Sequence, residues 1–135
     1  IMATSNVTYL GDLRTSSIHL QSGTEIISDA PLDNNGRGEA FSPTETVANS
    51  LASCMFTVMG IKAKEMNVDF SGATAEVTKI MAAEPRRISE IHVTFSMNVF
   101  PDEKTKIILE RTALTCPVYF SLHPDIKKVI VFNWK

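Results

Sequence analysis

Hydrophobic and polar positions alternate most regularly between Ile91 and Val99. Ile91, Val93, Phe95, Met97 and Val99 take turns with His92, Thr94, Ser96 and Asn98. A period of two sorts the two sets onto opposite faces, so this run predicts a strand with one buried side. A different pattern fills Leu51–Ile61, where only Ser53, Thr57 and Gly60 interrupt apolar residues and Cys54. Its start is signposted upstream. Ser42 has a hydroxyl able to accept from the free N–H groups of a first helical turn, and Pro43 follows where a missing N–H is harmless. Glu45 completes a capping box with Ser42. These signals predict a helix from Pro43 to about Met66, stopped at Asn67. Because it is apolar nearly all round, it is expected in the middle of the structure.

The remaining pattern is shorter in range. Residues 5–10, Ile18–Leu20 and Glu25–Ser28 read as three strands separated by turn signals at Gly11-Asp12 and Gly23, an antiparallel meander. Pro31–Glu39 is a loop by composition. Residues 68–81, rich in Val, Thr, Phe and Ala, predict a long strand, and Ala83–Arg86 a turn. Pro101-Asp102 opens a second helix running to about Leu114. Thr115-Cys116-Pro117 starts a short helical segment that ends near Leu122. Val129–Trp134 reads as a closing strand. Strand runs broken by helices at two places indicate an α+β fold in one domain spanning residues 1–135.

Composition narrows the function classes. The chain has 135 residues, 44% of them hydrophobic and 21% charged, with a formal net charge of -2, so a dominant nucleic-acid or anionic-membrane role is not expected. No apolar run nears the roughly 20 residues of a membrane span. The first residues lack the basic-then-apolar layout of a signal peptide, which makes a cytosolic location the expectation. In a reducing compartment, Cys54 and Cys116 read as reactive or merely buried thiols rather than a permanent staple.

Cys116 precedes Pro117 and so falls at or beside a helix N-cap, where free N–H groups and the helix dipole favour a thiolate; a lowered pKa is expected there. Cys54 lies about three turns inside its helix, and burial alone would raise its pKa, so reactivity there calls for a cationic or polar neighbour. His19, His92 and His123 are scattered and no Cys-x-x-Cys occurs, which argues against a structural zinc site. Gly36-Arg37-Gly38 is too short for a phosphate loop. His123-Pro124-Asp125 has the letters of a J-domain tripeptide without the two long charged helices around it, and reads as chance.

Ser42-Pro43-Thr44-Glu45, Leu51-Ala52-Ser53-Cys54-Met55 and Cys116-Pro117-Val118 together resemble the OsmC/Ohr family of osmotically inducible and organic-hydroperoxide-resistance proteins. The resemblance spans most of the chain. It implies an α+β fold with antiparallel sheets wrapped around long central helices in an intertwined homodimer, and thiol-dependent reduction of organic hydroperoxides without metal or organic cofactor. Carried over residue by residue, Cys54 matches the peroxidatic thiol, Cys116 the resolving thiol and Glu45 the active-site glutamate. Arg14 is the best match to an arginine on an early strand, with Arg37 as the alternative. Met55, Phe56 and Phe120 supply apolar surroundings suited to an alkyl or lipid peroxide. A thiol or dithiol reductant is implied as partner.

Helix geometry adds a constraint. Nine positions separate Glu45 from Cys54, a rise of roughly 13 Å with about a half-turn of offset. The two cannot share a compact site on one straight helix, so a site using both is expected at a subunit interface. Two other readings use the same residues: a non-enzymatic dimer that binds an apolar small molecule, and a redox sensor whose Cys54–Cys116 disulfide alters a partner contact.

Overall fold

The computed structural model describes all 135 residues. They form two units, Ile1–Thr46 and Val47–Lys135. The first is the expected meander: β1 (Ser5–Gly11), β2 (Arg14–His19) and β3 (Glu25–Asp29) form an antiparallel sheet in the order β1-β2-β3. β2 starts four residues earlier than the apolar pattern around Ile18 suggests. A tight turn at Asp12 (φ 54°) and Leu13 (φ 63°) reverses the chain at once, and two positive φ values in succession match the twist of a two-residue hairpin. Arg14 consequently stands opposite Asp29 in the register. The Pro31–Glu39 loop contains one 3-10 turn, Leu32–Asn34. It folds back so closely that a Cβ on Gly36 would fall 1.7 Å from the Ala30 carbonyl oxygen, which excludes any larger residue there.

Helix α1 (Pro43–Glu65) begins at the end of the first unit and runs on through the second. Its capping box forms as expected: the Glu45 N–H donates to Ser42 Oγ at 3.2 Å, and the Ser42 N–H donates to Glu45 Oε1 at 2.9 Å. At the other end Asn67 is left-handed (φ 57°) and the Val68 N–H reaches back to the Ala63 carbonyl, a Schellman-type stop. That stop and the turn after it explain a misplaced strand boundary. Asp69 accepts from both the N–H and the hydroxyl of Ser71, and Gly72 takes φ 94°, so β4 (Thr74–Ala82) begins six residues later than composition suggests.

In the second unit β4 pairs antiparallel with β5 (Arg87–Met97), and β5 pairs parallel with β6 (Lys127–Trp134). A parallel neighbour requires a crossover, supplied by α2 (Glu103–Ala113) and α3 (Pro117–Ser121). The sheet is therefore mixed, and β5, α2, α3 and β6 form a βαβ-like return absent from the expectation of antiparallel sheets. Ile91, Val93, Phe95 and Met97 point inward against Leu51, Met55 and Met59 of α1, every one buried. Val99 lies past the strand end. Phe95 is the centre of an aromatic stack, edge-on to Phe56 at 4.8 Å and parallel to Phe132 at 4.9 Å. α1 is not buried all round: the stripe Ala48–Leu51–Ala52–Met55–Met59–Ala63 is covered, while Val47, Ser53, Thr57 and Ile61 are exposed. No helix is long and apolar enough to cross a membrane.

Candidate active site

Two free thiols meet in the second unit. Cys54 lies on the flank of α1 between its buried stripe and its exposed face, and is half-buried. Cys116 is the N-cap of α3, with extended backbone (φ -65°, ψ 140°) and Pro117 behind it at the first helical position. Its Sγ accepts the Tyr119 N–H at 3.2 Å, so the sulfur does what a serine hydroxyl does at an ordinary cap. Cys116 is fully buried. Sulfurs 62 positions apart in sequence are brought together: Cys54 packs against the cluster that buries Cys116, close enough to influence the Cys116 thiol.

The electrostatics of Cys116 correct the sequence expectation. Its pKa is raised, chiefly because burial disfavours the anion; the Tyr119 and Val118 N–H groups pull the other way, and the hydrogen bond and charge of Cys54 push it up further. Cap and dipole are in place, but desolvation outweighs them. The pair is thus unequal. Cys54 is reachable from solvent, and Cys116 is sealed and keeps its proton.

Around them, Tyr119 is half-buried, with its ring edge-on to Phe120 at 6.0 Å and the Lys128 ammonium 5.0 Å from its centroid. The expected apolar lining is distributed differently. Met55 faces the core, Phe56 is half-buried in the aromatic stack, and Phe120 is 71% exposed. A depression of about 690 Å³ lies on the same unit at the C-terminal end of α1, walled by Phe56, Gly60, Ala63 and Phe70, and neither cysteine lines it.

The other candidate residues belong to the first unit. Glu45 is half-buried and engaged in the capping box. Arg14 stands at the start of β2, its Nε 4.0 Å from Oδ2 of Asp29. Asp29 is fully buried and its Oδ2 also accepts the Glu39 N–H at 3.0 Å. Sequence reasoning missed Asp29: a lone Asp before Ala-Pro reads as a turn former, and only the β2–β3 register sets it against Arg14. Arg37 makes a surface ion pair with Asp12 at 3.8 Å, both side chains being more than half exposed. No cluster of three or more His, Cys, Asp or Glu side chains is arranged to hold a metal ion.

Residues 36–130 match the family model described as OsmC-like protein. A crystal structure from Psychrobacter arcticus 273-4, provisionally described as an osmotic stress induced and detoxification response protein, is 60% identical with a TM-score of 0.95, over 98% of this chain and 97% of that one. An OsmC-like protein from Mycoplasma pneumoniae superposes with a TM-score of 0.81 at 15% identity, over 99% and 97% of the two chains. The organic hydroperoxide resistance protein OsmC from Legionella pneumophila does so at 0.75 and 11%, over 98% of each chain. The last two are similar in fold. No curated protein sequence matches the chain.

Proposed function

The chain belongs to the OsmC-like family, and from that premise we propose that it is a cysteine-based peroxidase that reduces organic hydroperoxides in the cytosol. The observation that carries this reading is the unequal pair of adjacent thiols, one accessible and one sealed, neither of them in a disulfide.

The inequality suits a two-stage reaction. The Cys54 thiolate attacks the terminal oxygen of ROOH. The O–O bond breaks, the alkoxide takes a proton and leaves as ROH, and Cys54 is oxidised to a sulfenic acid. The Cys116 sulfur then attacks the Cys54 sulfur, and its proton goes to the departing hydroxide, which leaves as water. Retention of that proton until this step is what the raised pKa of Cys116 provides. A dithiol reductant returns two electrons by exchange and restores both thiols. The Tyr119 N–H stabilises negative charge on Cys116 as its proton departs.

Arg14 supplies the guanidinium that favours thiolate at Cys54 and holds the polarised peroxide, and Glu45 orients it. The rise along α1 between Glu45 and Cys54, roughly 13 Å, keeps one chain from uniting them on that helix, so a second copy of the chain contributes Glu45 and Arg14. Exposed Phe120 favours an alkyl or lipid peroxide over hydrogen peroxide.

The test is consumption of cumene hydroperoxide with a dithiol reductant by wild type, Cys54→Ser and Cys116→Ser. Loss of all reaction in Cys54→Ser, and one oxidation without turnover in Cys116→Ser, are expected. Equal rates in all three would leave a binding role without chemistry.

A further inference from the structure

Asp29 is a fully buried carboxylate that the proposed reaction does not yet use. It ends β3 directly opposite Arg14, which begins β2. One oxygen, Oδ2, accepts the Glu39 N–H at 3.0 Å and lies 4.0 Å from Arg14 Nε. The other oxygen, Oδ1, and Arg14 Nε are both buried without a hydrogen-bond partner. The backbone of Asp29 is also engaged, its N–H donating to the Phe41 carbonyl at 3.1 Å.

These bonds alone do not account for a charge. Tying down the Glu39 N–H needs only an oxygen acceptor, which an asparagine amide offers without the large desolvation penalty of a buried carboxylate. What the amide lacks is the charge that holds a guanidinium. Arg14 is gripped on one side only: Nε is buried, yet the side chain as a whole keeps 29% of its surface exposed. The long 4.0 Å approach matches site contacts that tighten only when the ligand arrives.

We propose that Asp29 is the positioning residue for Arg14, fixing the guanidinium through its buried Nε edge so that its remaining N–H donors are presented to the reacting peroxide. This rests on the peroxidase reading for its consequence but not for its geometry. Asp29 touches no reacting atom and acts through Arg14. The capping-box Glu45 then has a partner in the task of orienting the guanidinium, on the chain that carries both.

Asp29→Asn tests it, because the amide oxygen keeps the Glu39 bond and the backbone bond to Phe41 is untouched. Two readouts are taken. The first is hydrogen exchange at the Arg14 Nε–H, followed by NMR in the resting protein, with the exposed Arg37 Nε–H as internal reference. In wild type the Arg14 proton exchanges at least ten-fold more slowly than that of Arg37, and Asp29→Asn removes most of the difference. The second is the single-turnover rate of Cys54 oxidation by cumene hydroperoxide. Asp29→Asn slows it at least ten-fold, and adds nothing further in an Arg14→Gln background. Equal exchange at the two arginines in wild type, or an undiminished oxidation rate in a folded Asp29→Asn protein, overturns the proposal. If the variant does not fold, the wild-type exchange comparison still decides. Failure of the peroxidase reading shows separately, as wild-type Cys54 reacting no faster than a free thiol, and leaves the exchange result to stand or fall alone.

Discussion

Glu45 is asked to do two things, and Ser42 separates them. The capping box gives each residue one hydrogen bond from the other's backbone N–H, at 3.2 and 2.9 Å. Ser42→Ala removes the acceptor for the Glu45 N–H in a fully buried position, as well as the 3.3 Å contact with the Thr44 hydroxyl. Cap losses run to about 0.5–2 kcal/mol, and the burial places this one at about 1.5 kcal/mol. For a chain of this length that lowers Tm by roughly 6 °C. Glu45→Gln keeps an oxygen facing the Ser42 N–H and loses only the negative charge near the helix N-terminus, a loss of about 0.5 kcal/mol. Stability alone therefore ranks Ser42→Ala as the more harmful change. The proposed chemistry reverses the ranking. Glu45→Gln slows single-turnover oxidation of Cys54 at least ten-fold, about 1.4 kcal/mol of barrier, whereas Ser42→Ala, which retains the carboxylate, stays within about three-fold of wild type. Thermal unfolding followed by circular dichroism, paired with stopped-flow mixing against cumene hydroperoxide, reads both scales. A wild-type oxidation rate in Glu45→Gln would reduce Glu45 to a cap. An unchanged Tm in Ser42→Ala would refute the capping argument itself.

Further consequences concern the core, the thiol and the surface. Phe95→Ala, at the middle of a three-ring stack and with no exposed surface, should lower unfolding free energy by about 3–5 kcal/mol, measured by urea titration. Because burial holds the Cys116 pKa above its ordinary value, the folded state binds that proton more tightly than the unfolded chain does. The contribution is complete below the ordinary thiol pKa and is lost as pH rises through the raised one. Stability of the reduced protein should therefore fall above about pH 9 in wild type and fall less in Cys116→Ala, with unfolding midpoints from pH 7 to 10 as the check. Arg37→Ala removes only an exposed pair and should change stability by less than about 0.5 kcal/mol and oxidation rate hardly at all. A tenfold rate loss there would move the guanidinium role from Arg14 to Arg37.

What the residues determined by themselves is what can be decided within a turn or two of chain. Ser42, Pro43 and Glu45 specify where α1 starts, because a cap is satisfied by groups at most three positions away. Cys116 before Pro117 specifies the N-cap of α3 for the same reason. The two-residue period from Ile91 to Met97 specifies which face of β5 is buried, since alternation of side chains is a property of the strand alone. The family motifs were legible too, being runs of neighbours. Tertiary structure decided everything that depends on what lies opposite. The parallel pairing of β5 with β6, the meeting of Cys54 with Cys116 and the placing of Asp29 against Arg14 each join residues from separate elements. The Cys116 thiol shows the difference most directly. Its local sequence favours the anion through cap and dipole, and the fold reverses the sign by burying it, because solvation is set by every element packed around the sulfur and not by the residues bonded to it.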